Sequence, residues 1–446
     1  MAKVPKKIGL LHHLGGGNLG DDASLDAVIG NIKSRWPNAM LCAFTMNPGD
    51  TQARHGIPAY QIRREIWPSL PQTAERGGSF FSRAKRAVKK YPLISRPLEA
   101  INKVAIRMPR AVAQELMFLA KSFRALRSTD LLIFTGGGQL LDAWGGPWKF
   151  PYTNFKWTLL AKISRAKCYF INVGAGPLSH RLGRWFVKRT LALADYASFR
   201  DEESRALVRQ IGYRAESQVH ADNVYSLEIP SVFTNGNGRR GESVVGISPM
   251  PYCDPRAYWQ RNQNIYDNFI HTVASFGSWI VEHEHRLTIF TTDIWFDEGA
   301  IRDFKVALER DFGLANSPRI RHEPVTGIEE LLSVMASMDY IVTCRFHGVV
   351  FAHLLNKPVL AISHHPKVSK LMSDLGLSRY CVDILKCDLN VLSEAFTSLV
   401  KNSEEVKNRM AEKAASYRKD LSIQFDQLFP QQAGNGLVRR RASGRS

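Results

Sequence analysis

The chain has 446 residues, 44% of them apolar; at roughly 150 residues per domain this predicts a globular protein of two or three domains. Its apolar runs, such as Tyr340 to Val342 and Leu131 to Phe134, fall far short of the ~18 residues that cross a bilayer, and no charged-then-apolar leader opens the sequence, so a cytoplasmic protein is expected. Six scattered cysteines make no Cys-x-x-Cys pair and signal neither a disulfide framework nor a zinc knuckle.

The formal charge of +19 is unevenly placed. Between Arg76 and Arg127, 13 Lys and Arg face only Glu99 and Glu115, a net of +11, and Arg439, Arg440, Arg441 and Arg445 add +4. The rest is near neutral, so the charge marks local segments rather than a basic body.

In chain order, apolar strands are expected at Ile8 to His12, Met40 to Met46, Leu131 to Thr135, Cys168 to Val173 and Tyr196 to Phe199. Helix-like segments separate them, the alternation of a parallel sheet covered by helices. The first strand runs into Gly15-Gly16-Gly17-Asn18-Leu19-Gly20-Asp21-Asp22. This satisfies the Gly-x-Gly-x-x-Gly dinucleotide pattern formally, yet Asp21 and Asp22 stand where a pyrophosphate would lie. Asp21 is therefore either a helix cap or a base aimed into a cleft. Gly136-Gly137-Gly138 and Gly174-Ala175-Gly176-Pro177 repeat the glycine turn at two later strand ends, where backbone N–H groups can approach a ligand. Arg200, at the end of the fifth strand, is either a surface ion-pair partner beside the cap Asp201 or a planar fork for phosphate or carboxylate.

The segment from Arg76 to Arg127 lacks a strand signal, and after Pro109 the residues Val112, Leu116, Leu119, Phe123 and Leu126 recur at helical spacing. A basic amphipathic helix is expected, either packed on the first lobe or lying on an anionic membrane surface. Residues Thr234 to Ser243 read as a linker between a lobe over 1–233 and a second over 244–425. In the second, strands are expected at Val244 to Ser248, Leu287 to Thr291, Tyr340 to Thr343 and Val359 to Ile362. A charged helix is expected over Ser403 to Leu421, and the basic tail over 426–446 is expected to be disordered. The fold class is thus α/β, two Rossmann-like lobes facing a cleft, with a basic helical insert in the first.

Cys344-Arg345-Phe346-His347-Gly348 forms the turn into a helix over Val349 to Asn356, and the next strand leads to Ser363-His364-His365-Pro366-Lys367. A lone histidine is usually a satisfied core residue. His347 shares a strand end with Arg345 and lies one crossover from Lys367, so three cationic or proton-donating groups are expected beside a helix N-terminus. His12, His13, His283 and His285 lack the further ligands a metal would need.

Taken together, Asn18-Leu19-Gly20-Asp21, Gly136-Gly137-Gly138, Gly174-Ala175-Gly176-Pro177, Arg200 to Ser204, Asp222, Cys344-Arg345-Phe346-His347 and Pro366-Lys367 resemble, in order, the pattern of polysaccharide pyruvyl transferases. The resemblance implies a glycosyltransferase-B-like fold and transfer of a pyruvyl group from phosphoenolpyruvate to two hydroxyls of a sugar, giving a cyclic ketal and phosphate. It implies no cofactor or metal, and an acceptor that is an exopolysaccharide or a lipid-linked saccharide. His347 would be the general acid and Asp21 the proton acceptor. Arg200 and Arg345 would clamp the donor's anionic groups, and Asn18, Gly137, Gly138, Lys367 and His364 would complete substrate binding. Phe346 stands where the pattern usually has Leu or Met, His364 where tyrosine is common, and Asn223 where proline is frequent. Two other readings compete. One is a nucleotide-sugar glycosyltransferase of the same architecture. The other is a non-enzymatic membrane or nucleic-acid binder, the nucleic-acid form disfavoured by thin aromatic interleaving.

Overall fold

The computed structural model describes residues 6–13, 15–64, 108–234, 242–314 and 317–431. Seven strands make the first sheet: β1 (Lys7–Leu11), β2 (Met40–Thr45), β3 (Ala59–Gln61), β4 (Leu131–Thr135), β5 (Lys167–Val173), β6 (Tyr196–Phe199) and β7 (Gln218–Val219). Six make the second: β8 (Val244–Ser248), β9 (Arg286–Ile289), β10 (Ile320–His322), β11 (Tyr340–Thr343), β12 (Val359–Ser363) and β13 (Cys381–Asp383). The orders are β3-β2-β1-β4-β5-β6-β7 and β10-β9-β8-β11-β12-β13. Every pairing is parallel.

Both sheets reverse direction once, between β1 and β4 and between β8 and β11, so the loops leaving those strands diverge and open a crevice at the strand C-termini. Helices cover both faces, which is why Ile8, Leu10, Leu132, Ile133, Phe134, Ile341 and Val342 are fully buried and the strands read as continuous apolar runs. The α/β architecture with two Rossmann-like lobes follows the expectation. The edge strands β3, β7, β10 and β13 lie outside the expected set. They have only two or three residues each and expose part of their pattern, too little for alternation to register.

Two local boundaries differ in consequence. The helix after β11 starts at Phe346, not Val349, which places His347 in its first turn. The last long helix runs from Ser403 to Leu428 rather than stopping at Leu421. Its extra turns return to the first lobe, where Gln424 exchanges hydrogen bonds with Asn172 at 2.9 Å and Asp426 meets Arg35 at 2.9 Å. In the basic segment, residues 76–107 lie outside the described residues, as do 432–446 of the tail. The described part is the helix Met108–Leu126. Leu126 is buried and Glu115 bonds Lys156 at 2.9 Å, tying the helix to the first lobe, whereas Val112, Leu116 and Met117 are exposed.

The lobes are joined across the crevice by backbone hydrogen bonds, Leu19 N to the Thr292 carbonyl at 3.0 Å and Ile294 N to the Gly17 carbonyl at 2.8 Å. Deeper in, the Tyr225 hydroxyl donates to His353 Nδ1 at 2.8 Å. The glycine loop after β1 is thus clamped by the loop after β9.

Candidate active site

The helix Leu19–Arg35 begins under the crevice, and Asn18 caps it by accepting from Gly20 N at 3.0 Å and Asp21 N at 3.2 Å. Asp21 is therefore freed from the capping role that the sequence allowed it. Its side chain borders a cavity of about 510 Å³ together with Asn18, Gly138, Arg200, Arg345, His347, His364 and Lys367. Gly137 lies just behind: a Cβ there would sit 2.6 Å from His12 Nε2 and 3.2 Å from Asp21 Oδ1, and its φ of +68° suits glycine alone. All nine sequence-predicted residues converge here, six of them from loops at strand C-termini and Asp21, His347 and Lys367 from the first turns of helices.

His347 faces the first lobe. A methyl on Gly20 would meet its ring at 1.9 Å, so the absent side chain is what lets the second-lobe imidazole touch the first-lobe helix. Its Nε2 lies 3.9 Å from Asp222 Oδ2, both atoms buried without a hydrogen-bond partner. Burial alone would raise the Asp222 carboxyl, yet His347, Arg200 and the N–H of Val224 hold it at about 2.

Arg200 is braced from beneath by the bare backbone of Gly174, where a Cβ would lie 2.8 Å from its Nε. It pairs at 3.5 Å with Asp201 and with Asp222, and its guanidinium lies 4.8 Å from the centre of the Phe346 ring across the cleft. Asp201 also caps the next helix through Ser204 N at 2.6 Å. The cap and the inward arginine therefore coexist. Lys367 is different. No salt bridge to it occurs among the described residues, and burial, then Arg200, lowers its ammonium to about 8. His364 donates from Nδ1 to the Cys344 carbonyl at 2.9 Å, and burial followed by Lys367 and Arg345 depresses it to about 3, so it is neutral.

Arg345 carries partners that sequence reasoning missed. Asp297 bonds it directly, and Asp293 Oδ2 lies 3.7 Å away. Both acids follow β9 in a loop without a glycine or strand-end signature. Burial and mutual repulsion push Asp293 above the ordinary carboxylate range, against the pull of Arg345. Much of the Arg345 charge is thus spent within its own lobe, leaving Arg200 and Lys367 as the stronger anion-facing pair. Also unforeseen are His12 and His13, 2% and 7% exposed on the cavity wall, and Trp144, which lines this cavity and an adjoining one of about 890 Å³. No cluster of His, Cys, Asp and Glu suited to a metal occurs among the described residues.

Two Rossmann-like lobes with a polar cleft at their facing strand ends define a glycosyltransferase-B-like enzyme architecture. The family model for polysaccharide pyruvyl transferases matches residues 18–366, and the chain belongs to that family. No curated protein sequence matches it significantly. Among solved structures it is similar to the S. aureus MnaA–UDP co-structure, at 11% identity and a TM-score of 0.55 over 96% of this chain and 100% of that one. It is also similar to the UDP-GlcNAc 2-epimerase of Neisseria meningitidis bound to UDP-GlcNAc, at 11% identity and a TM-score of 0.53 over 94% and 98%. A putative UDP-N-acetylglucosamine 2-epimerase from Listeria monocytogenes aligns at 13% identity and a TM-score of 0.54 over 94% of each chain. At these identities the likeness is one of fold.

Proposed function

We propose that this transferase moves the pyruvyl group of phosphoenolpyruvate onto two hydroxyls of a saccharide, forming a cyclic ketal and releasing phosphate. The observation that carries the reading is Lys367: a half-buried ammonium without a salt bridge among the described residues, beside Arg200, in a cavity that also holds His347 and Asp21. Such a cation is stabilised by a bound anion. Phosphoenolpyruvate supplies a phosphate for Arg200 and Lys367 and a carboxylate for Arg345, whose fork is partly committed to Asp297. His347, facing the Asp222 carboxylate at 3.9 Å, protonates the donor's methylene carbon. The positive charge then developing at the adjacent carbon is met by an acceptor hydroxyl whose proton passes to Asp21. The larger adjoining chamber, with Trp144 and Trp259 at its wall, has room for the rest of the saccharide.

An acceptor on a lipid carrier would bring the reaction to the cytoplasmic face of a membrane. Supporting this, the neighbouring helices Phe150–Ile163 and Arg181–Leu193 expose Leu159, Ile163, Leu182 and Trp185, and the second carries Arg181, Arg184, Lys188 and Arg189 without an acid. Bases and tryptophan on one face suit an anionic bilayer. Among the described residues no helix is long and apolar enough to cross one.

Thermal unfolding with phosphoenolpyruvate or with a UDP-sugar tests the donor. Stabilisation by phosphoenolpyruvate alone is expected; stabilisation by the UDP-sugar alone would favour a nucleotide-sugar enzyme. Flotation with vesicles containing phosphatidylserine tests the membrane face, and recovery equal to that with neutral vesicles would reject it.

A further inference from the structure

Joining phosphoenolpyruvate to two hydroxyls liberates two protons. One ends on the methylene carbon, which becomes a methyl group, and the other leaves with the phosphate. His347 can deliver the first, but a group must receive a hydroxyl proton at the same moment, and Asp21 alone must hold it in a site already crowded with anions.

Directly behind Asp21 is His12, at the end of β1. Its ring is 2% exposed, both nitrogens are buried without a hydrogen-bond partner, and Nε2 lies 4.0 Å from Asp21 Oδ1. Gly137, with no side chain, is what leaves the space between the two atoms open. A buried imidazole left unpaired costs free energy, and His12 is aimed at one residue of the cavity wall. A rotation of about 1 Å closes the gap to a hydrogen bond.

On the pyruvyl-transfer reading above, we propose that His12 is the proton reservoir behind Asp21: Asp21 takes the acceptor hydroxyl's proton at the cavity wall and passes it to His12 Nε2. The site then holds two carboxylate–imidazole pairs of opposite duty, Asp222 with His347 at 3.9 Å and Asp21 with His12 at 4.0 Å. His12 is a positioning and relay residue acting through Asp21.

The protons balance over one turnover. In the first half, His347 gives its proton to the methylene carbon, the acceptor oxygen bonds the adjacent carbon, and the hydroxyl proton moves through Asp21 to His12. In the second, the other hydroxyl bonds the same carbon and its proton restores His347. The carbon–oxygen bond to phosphate breaks with the electron pair leaving on phosphate, which carries away the proton held by His12. Both imidazoles end as they began.

Resting protonation fits these duties. Burial lowers His12 below its ordinary value, against the pull of Asp21 and Asp22, with His347 adding to the lowering and Asp222 opposing it. His13, next along the chain, is itself driven well down by burial, Arg63 and His12. His12 therefore starts neutral and able to accept, whereas His347 starts against a carboxylate that stays ionised. Environments that push two titrating pairs apart are how acid and base are assigned within one site.

The test is phosphate release from phosphoenolpyruvate with a panel of p-nitrophenyl hexopyranosides as acceptors, for wild type, His12→Gln, Asp21→Asn and the double variant. Wild-type kcat is expected to fall on the acid side of a profile run between about pH 5 and 9, as His12 becomes protonated at rest. His12→Gln should lose that limb and turn over about 10²- to 10⁴-fold more slowly, with stabilisation by phosphoenolpyruvate unchanged. The double variant should be no slower than the slower single one, because either change breaks the same relay; independent structural effects would multiply. Should His12→Gln not fold, Asp21→Asn at the cavity wall must lose the acid limb instead. A His12→Gln enzyme within about threefold of wild type, or one retaining the limb, overturns the relay and leaves pyruvyl transfer standing. Wild type that releases no phosphate with any acceptor overturns the pyruvyl-transfer reading itself.

Discussion

Gly20→Ala and Gly30→Ala place the same methyl in the same helix, Leu19–Arg35, and should have opposite outcomes. On intrinsic propensity, Gly to Ala inside a helix stabilises by up to about 1 kcal/mol. Gly30 is exposed with nothing within 4 Å of the new Cβ, so most of that gain should appear. At Gly20 the new Cβ falls 1.9 Å from the His347 ring. Carbon atoms pack at about 3.5–4.0 Å, so the ring or the whole second lobe must retreat by roughly 1.5–2 Å. Overpacking of this kind costs about 1–3 kcal/mol, outweighing the propensity gain, and displacing a proton donor by more than about 1 Å costs on the order of 10²-fold in rate. Denaturant unfolding and phosphate release on the two variants read both effects. A Gly20→Ala protein as stable and active as wild type would refute the interlobe contact of Gly20 with His347.

Three further outcomes follow from named contacts. Arg345→Ala strands Asp293 and Asp297 as buried unpaired carboxylates and should destabilise by about 3–5 kcal/mol. Because protonation relieves them, urea unfolding should show the deficit shrinking as pH falls, and a deficit independent of pH would exclude this cause. His55 lies 2.6 Å from Asp26 and 3.5 Å from Asp22; burial opposes its charge, yet these carboxylates raise it to about 9. Burial pushes the Asp22 carboxyl up, against the pull of His55 and Arg54. The native state keeps a proton that the unfolded chain loses above about 6.5, so the His55 contribution, on the order of 1–3 kcal/mol, is full below pH 6.5 and lost as pH rises towards 9. In His55→Gln this decline in wild-type stability should be absent, and an identical profile would remove His55 as its source. Phe346→Leu removes the ring on which Arg200 rests across the cleft and should weaken stabilisation by phosphoenolpyruvate by about 0.5–2 kcal/mol; an unchanged ligand-induced shift in melting temperature would count against that platform.

The parts of the site that could be read in advance are those where a local signal and a topological rule coincide. Gly136 to Gly138 and Gly174 to Gly176 follow strands, Arg200 and Arg345 end them, and ligands of open parallel sheets bind at such ends. The choice between cap and site role for Asp21 needed coordinates, because Asn18 and Asp21 both suit a helix start and only the hydrogen bonds show Asn18 doing the capping. Asp293 and Asp297 were hidden for a different reason. They sit in a loop with no periodicity and reach Arg345 only through tertiary packing. His12 was set aside for lacking metal partners, whereas its surroundings, Asp21 across the space beside Gly137, are formed by chain segments over 100 residues apart. The return of the last helix onto Asn172 and Arg35 is likewise a long-range contact, invisible to a window that sees only its 3.6-residue period.

The most direct measurement is phosphate release from phosphoenolpyruvate by the wild-type protein in the presence of saccharide acceptors, with the product examined for a ketal bridging two hydroxyls. Pyruvyl transfer predicts acceptor-dependent release, one phosphate for each ketal formed, abolished in His347→Ala while stabilisation by phosphoenolpyruvate persists. Release at the wild-type rate from His347→Ala, or release in which no ketal accompanies the phosphate, would contradict it.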